Sequence, residues 1–362
     1  METKEIRFSN EKDKEFVRIL RERVKEYFDT NKISRFANKT MKIKTVVMVL
    51  LYLIPFGLVV SGIFNQVWIN ALLWATMGFG MAGIGMGVMH DANHNSYSPN
   101  SKTNLWLGRL LYIIGGYADN WKAQHNVLHH SYTNVTGLDE DIHPGVYLRF
   151  SPHEKRYGIH KFQHFYAWIL YGFMTLLWIT TKDFKGMARY HKKGLLAFTK
   201  KSYPRLFMEL VAHKIIYYLF TLGLPLWFSP ISPVFTIIFF LMMHFICGVI
   251  LGVVFQPAHV MPTSQFPLPD KNNTLEHNWV IHQLVTTTNF SPKDNLFSWF
   301  IGGLNYQVEH HLFPSICHVH YPKLSPIVQK TTEEFGLPYN THLNYFSALK
   351  NHAKMLKHLG SS

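Results

Sequence analysis

The chain alternates between apolar runs of membrane-crossing length and strongly polar segments. Four runs, residues 44–64, 67–89, 211–229 and 233–256, are long and apolar enough to form spanning helices, since about 20 helical residues cross the hydrocarbon of a bilayer. Ahead of them, Phe16, Ile19, Leu20, Val24, Tyr27 and Phe28 recur at helical spacing among Lys, Arg and Glu, with Asn10 placed as a cap. This predicts an amphipathic helix over 11–28, lying on the membrane or on the body of the protein. Residues 105–115, "LWLGRLLYIIG", are too short to span and contain Arg109, which predicts a shallow or re-entrant helix. The Pro-rich stretch 261–270, "MPTSQFPLPD", reads as a loop.

A fifth apolar run, 163–181, is settled by charge. Lys155, Arg156 and Lys161 precede it, and eight Lys and Arg residues between Lys182 and Arg205 follow it. Basic flanks mark the cytoplasmic side, so both ends face the cytoplasm and the helix is predicted to lie along the interface. Inside the second span, Gly78, Gly80, Gly83, Gly85 and Gly87 form a small-residue stripe expected to let helices approach closely. The expected organisation is therefore an N-terminal amphipathic segment over 1–43, a membrane domain over 44–330 and a C-terminal tail over 331–362, all polar parts cytoplasmic.

Composition agrees with an all-α integral membrane protein. Among 362 residues, 48% are hydrophobic and 15% aromatic, yet the mean hydropathy is near zero, so only part of the chain enters lipid. Residues 1–44 are charged and lack the apolar core of a cleavable signal, which places the N-terminus in the cytoplasm. Cys247 and Cys317 are the two cysteines, too few for a disulfide framework. The formal charge of +14 is assigned to topology and anionic lipid head groups, and not to nucleic acid.

Histidine is the residue that changes the picture. "HDANH" ends the second span with His90 and His94; "HNVLHH" supplies His125, His129 and His130; "QVEHH" supplies His310 and His311; and His259 closes the fourth span in "FQPAHV". An even number of crossings between these groups, which the interfacial reading of 163–181 preserves, puts all of them on one membrane face. His143, His153, His160, His191, His213 and His277 stand apart and read as satisfied or solvated, while His244, inside the fourth span, reads as packing or tunnel lining. Neutral imidazole is a common ligand of zinc, copper, iron and nickel, and eight of them exceed the needs of one ion, so two are implied. Asp91, Asp139, Glu140, Asp141 and Glu309 lie beside these ligands in sequence. They are expected to accept the outer N–H of metal-bound imidazoles, fixing their orientation. Gln307 precedes His310 and His311 by three and four positions, a spacing that aims it at the same metal. Redox-active iron suits such a site, because side chains alone lack the power to oxidise an unactivated C–H bond.

At these residues the chain resembles the membrane fatty acid desaturases, whose three histidine boxes look like "HDANH", "HNVLHH" and "QVEHH"; the similarity runs on through "HHSYTNVTGLDEDI" and "NLFSWFIGGLNYQVEHHLFP". The resemblance implies four transmembrane helices under a cytoplasmic helical cap. It also implies a di-iron centre held by His90, His94, His125, His129, His130, His259, His310 and His311, and O2-dependent insertion of a cis double bond into an acyl-CoA or acyl-lipid chain. Gln307, where many relatives have histidine, resembles the front-end branch. Fused haem domains in that branch carry "HPGG"; here "HPG" at 143–145 is followed by Val146, which leaves no room for a haem domain and implies a separate electron donor such as cytochrome b5 or ferredoxin. A bacterial inner membrane or an endoplasmic reticulum would suit such a chain. A hydroxylase with the same metal pair is the alternative enzyme, and a histidine-rich metal transporter the alternative of another class. Transport favours ligands at the bilayer midplane, whereas these sit at helix ends.

Overall fold

A computed structural model describes residues 6–9 and 13–362. The architecture is mostly helical, with two two-stranded parallel pairs among the described residues: Arg7–Phe8 on Thr274–Leu275, and Asn289–Phe290 on Thr341–His342. Four helices are long and apolar enough to cross a membrane: Lys39–Ser61, Val67–Asn93, Tyr203–Phe228 and Pro233–His259. The first begins earlier than its apolar run because Asn38 accepts the Met41 N–H at 3.0 Å and caps it, drawing Lys39 and Lys42 into the helix. The third begins at Tyr203, eight positions before the run, with Pro204 in its first turn.

The glycine stripe sits where the second span meets its neighbours. A Cβ at Gly80 would lie 2.7 Å from the Tyr52 nitrogen, and one at Gly78 2.8 Å from the Met243 carbonyl oxygen, so backbone touches backbone on both sides. Met48, Tyr52, Trp74, Met77, Met243 and Cys247 fill the remaining space between the first, second and fourth spans.

The amphipathic helix is Lys14–Asn31, and Asn10 lies outside the described residues. Its buried stripe of Phe16, Leu20 and Val24 packs with Leu284, Leu324 and Val328, so its apolar face is spent on the body of the protein. The run 163–181 is broken at Phe173 into Gln163–Gly172 and Met174–Leu177, followed by a π-helical turn at Trp178–Lys182 and the basic helix Asp183–Lys192. Gly248 of the fourth span would carry its Cβ 2.6 Å from the Tyr171 and Gly172 carbonyls, while Phe165, Ile169, Phe173 and Leu177 face outward. The 105–115 run is two short helices, Ser101–Gly108 and Leu110–Ile113, broken at Arg109. Buried Lys214 pins these pieces together: its Nζ lies 2.6 Å from Asp183, 2.6 Å from the Gly115 carbonyl and 3.1 Å from the Trp178 carbonyl. A lysine can remain charged there because its desolvation is offset by a carboxylate and two carbonyls.

Residues 331–362 are no loose tail. The closing helix Tyr345–Ser361 packs on the fourth span and on Gln163–Gly172, with Arg149 Nη1 donating to the Leu359 and Ser362 carbonyls at 2.5 and 2.9 Å. Buried His352 joins Tyr171 (2.7 Å) to the Val260 carbonyl (2.9 Å), one residue beyond the end of the fourth span.

Candidate metal centre

Local helix geometry gathers the histidines. The second span relaxes into a π-helical turn at Ile84–Val88 just before His90, and Lys122–His129 is π-helical throughout. A π turn bonds each N–H to the carbonyl five residues earlier, which brings His125 and His130 together: the His130 N–H donates to the His125 carbonyl at 3.0 Å and their Nε2 atoms lie 3.3 Å apart. The loop before Gln307–Leu312 approaches the second span at Gly302 (φ 69), where a Cβ would lie 2.8 Å from the Gly87 Cα. Only glycine permits that contact, and it brings His310 within reach of His90.

The eight histidines converge. Ring nitrogens of His90, His94, His125 and His310 form one group, those of His129, His259 and His311 a second, and His130 with His310 and His311 a third that bridges them; within each group the nitrogens lie within 4.8 Å of one another. Nε2 atoms face each other at 3.2 Å (His90 and His125) and 3.0 Å (His130 and His310). The Nε2 atoms of His94, His259 and His311 are buried without a partner, the state expected of ligands whose natural partner is a metal ion.

The opposite sides of the rings are held. Asp139 accepts from His129 Nδ1 at 3.0 Å, Asp141 from His125 Nδ1 at 3.2 Å, and Gln283 Oε1 lies 2.8 Å from His311 Nδ1. Such contacts fix the tautomer, leaving Nε2 free to bind metal. Burial, reinforced by neighbouring imidazoles, pushes His94, His130, His310 and His311 well below the usual histidine range, and burial brings His125 down to about 3 against the pull of Asp141. These rings are neutral, as metal ligation requires. At His129 burial acts the same way, but Asp139 and Asp141 outweigh it and carry the ring up to about 9.

Not every predicted partner faces a ring. Glu140 is turned away: its carboxylate takes Arg189 Nε at 2.7 Å and the Tyr190 hydroxyl at 2.6 Å. Glu309, on the helix carrying His310, points to the opposite side and accepts from Asn289 (2.8 Å) and Tyr339 (2.7 Å). Asp91 takes His318 Nδ1 at 2.8 Å and stands 3.9 Å from His90 Nδ1. Buried Gln307 donates to the Leu304 carbonyl at 2.8 Å, and among the described residues no hydrogen bond joins it to the eight histidines. His143 is exposed and pairs with Glu154, whereas His244 is buried between Tyr217 and Thr175. Sequence reasoning passed over Gln283, His318 and Thr133, whose hydroxyl donates to Gln283 Oε1 at 2.9 Å and lies 3.3 Å from His311 Nδ1. Gln283 had one legible signal, a polar amide inside the apolar helix Trp279–Thr286.

Comparison with known proteins agrees with this geometry. The profile of the fatty acid desaturase family matches residues 66–343. A sn-1 linoleoyl-lipid 6-desaturase of Arthrospira platensis is 34% identical over 94% of this chain and 92% of its own length. Its namesake from Synechocystis sp. is 32% identical over 96% of both chains. An acyl-lipid (8-3)-desaturase of Physcomitrium patens is 32% identical over 98% of this chain and 74% of its own. The chain belongs to the fatty acid desaturase family. It is an oxidoreductase of membrane character, a fatty acyl desaturase built around a histidine cluster.

Proposed function

We propose that the chain is a front-end acyl-lipid desaturase that uses two iron ions, O2 and electrons from a separate donor protein. The observation that carries this reading is the convergence of eight imidazoles, seven of them buried and His94 half-buried, three of them with unpartnered Nε2 atoms. The donor set fits iron, being all imidazole nitrogen with no thiolate in the two main groups. His90, His94, His125 and His310 would hold one ion, and His129, His259 and His311 the other, with His130 between them. The irons supply the oxidising power that removes two hydrogens from adjacent carbons while O2 is reduced to two waters, with two electrons from the donor and two protons.

The protein's own part is to place the chain and keep water out. The Phe255 ring lies 6.4 Å from both His90 and His125, and Trp121 4.5 Å from His125, giving the cluster apolar walls for an alkyl chain. The relatives' lipid-linked substrates support an acyl-lipid over an acyl-CoA. Four apolar helices with basic flanks support a topology in which the cluster and the basic helix Asp183–Lys192 face the cytoplasm. There the cluster is reachable by cytochrome b5 or ferredoxin, and the basic surface by anionic head groups.

The deciding experiment is gas chromatography with mass spectrometry on cells expressing the chain and fed a panel of unsaturated acyl chains. The expected product has lost two hydrogens between an existing double bond and the carboxyl end. Gain of one oxygen would establish hydroxylation instead, and labelling of residues 182–205 from the outer face would overturn the topology.

A further inference from the structure

Three segments distant in sequence meet beside His90. Asp91 Oδ2 accepts from the His318 ring at Nδ1 (2.8 Å) and from the His318 backbone N–H (3.2 Å). The other ring nitrogen, His318 Nε2, lies 2.6 Å from the ammonium of Lys44, which also sits 5.4 Å from the centre of the Trp299 ring. Lys44 is 1% exposed, Asp91 2% and His318 3%. A charge buried so completely persists only where something compensates it.

The hydrogen-bond pattern is determined by the chemistry of the two ends. A carboxylate can only accept, so Nδ1 of His318 carries the hydrogen; an ammonium can only donate, so Nε2 accepts. The array therefore runs in one direction, from Lys44 through His318 to Asp91, with cation and anion separated by a neutral ring. Asp91, Cys317 and His318 together present ligand atoms within 4.8 Å of one another, but this is not a third metal site. The free nitrogen of His318 is already taken by a fixed ammonium, and a metal ion there would meet a like charge at contact range. Lys44 provides the cation that this acceptor set would otherwise seek.

The second carboxylate oxygen faces the metal ligand. Oδ1 of Asp91 stands 3.9 Å from His90 Nδ1, on the face of that imidazole opposite its Nε2. We propose that Lys44 and His318 are positioning residues for the first iron: they hold the Asp91 carboxylate so that Oδ1 stays beside His90 Nδ1 and fixes the orientation of that ligand. This inference rests on the two-iron reading given above. It also explains why a lysine is buried in the first turns of a spanning helix and why the loop after His311 returns to the second span.

The test uses full-length protein in detergent, freed of metal and reloaded anaerobically with ferrous iron, for the wild type and the variants His318→Asn, His318→Gln and Lys44→Met. Iron per chain, the affinity of each site and the Mössbauer spectrum are read, together with the melting temperature of the metal-free protein. In His318→Asn the amide nitrogen takes the place of Nδ1 and still donates to Asp91, so this variant is expected to keep both irons with wild-type spectra. In His318→Gln the amide reaches the place of Nε2 and Asp91 loses its ring donor, keeping only the weaker backbone N–H at 3.2 Å; in Lys44→Met the array loses its cation. Both are expected to weaken one of the two iron sites 10- to 100-fold, the usual effect of removing a partner behind a ligand, and to change one of the two iron signals. Wild-type iron binding in these two variants would overturn the proposal. So would equal loss at both sites, or a fall in His318→Asn as deep as in His318→Gln. Fewer than two irons in the wild type would overturn the two-iron reading itself, and this proposal with it.

Discussion

Asp139→Asn is expected to lower both protein stability and iron affinity, each with its own signature. Asp139 is 1% exposed, and each of its oxygens serves two donors: Oδ1 takes His129 Nδ1 (3.1 Å) and the Asp141 N–H (2.9 Å), Oδ2 takes His129 Nδ1 (3.0 Å) and the Asn134 N–H (2.8 Å). Asparagine offers one acceptor oxygen and an NH2 group. Whichever way it sits, the NH2 faces a backbone N–H and leaves it unpaired, at a cost of about 1–3 kcal/mol. A second loss is pH-dependent. In the metal-free protein burial opposes the charged His129 ring, yet Asp139 and Asp141 raise it from the usual 6.5 to about 9, which is worth about 3 kcal/mol. Because the folded value is raised, that stabilisation is fully present below the unfolded value of 6.5 and disappears as pH rises through about 9. The variant should therefore be destabilised most at pH 6, and its deficit should shrink towards pH 10 by part of that ~3 kcal/mol, since Asp141 still faces the ring, leaving the unpaired N–H. Equilibrium unfolding of both metal-free proteins in mixed micelles across that range measures the difference. Chelator competition at neutral pH should show iron affinity lowered 10- to 100-fold, with Glu140→Gln unchanged because Glu140 serves Arg189 and Tyr190. A deficit constant across pH, or equal iron affinities for the two variants, would refute the reasoning.

Other substitutions test the remaining assignments. His259→Ala should abolish desaturation and lower iron content, whereas His143→Ala, which removes an exposed ring paired with Glu154, should leave both unchanged; product yield and metal analysis read the contrast. Gly80→Val should lower stability by about 1–3 kcal/mol, since its Cβ meets the Tyr52 nitrogen at 2.7 Å. Gly85→Ala, whose nearest neighbour is Ile114 at 3.6 Å, should be tolerated, and thermal unfolding in detergent distinguishes the two. Gln307→His should retain measurable desaturation and Gln307→Ile should lose most of it; a stable, iron-loaded and fully active isoleucine variant would remove Gln307 from any role at the metal.

The spans and the ligand groups were legible because both are encoded over short distances. A run of apolar residues specifies a span whatever packs against it, and histidines four or five positions apart meet on one helix side without help from elsewhere. Even there, α-helical spacing was a partial guide. The π-helical form of Lys122–His129 pairs His125 with His130, and five-residue periodicity is not visible in composition or hydropathy. The broken helices at Arg109 and Phe173 were hidden for a related reason: Asn93 packs on Gly108 at the first break and Gly248 on Gly172 at the second, both residues of other elements.

The carboxylates show where nearness in sequence stops being informative. Asp139 and Asp141 do hold the second box, but Glu140 between them alternates to the other side of an extended turn and reaches Arg189, 49 positions away. Glu309 neighbours His310 and yet faces Asn289 and Tyr339, because consecutive residues of a helix point about 100° apart. The other groups that stand behind the ligands come from far along the chain: Gln283 behind His311, and His318, through Asp91, beside His90. Ligands are thus set by local spacing and their supports by tertiary approach. A polar side chain that is buried, such as Gln283 in Trp279–Thr286 or Lys44 in the first span, is the trace that such an approach leaves, because its burial is tolerable only where a distant partner satisfies it.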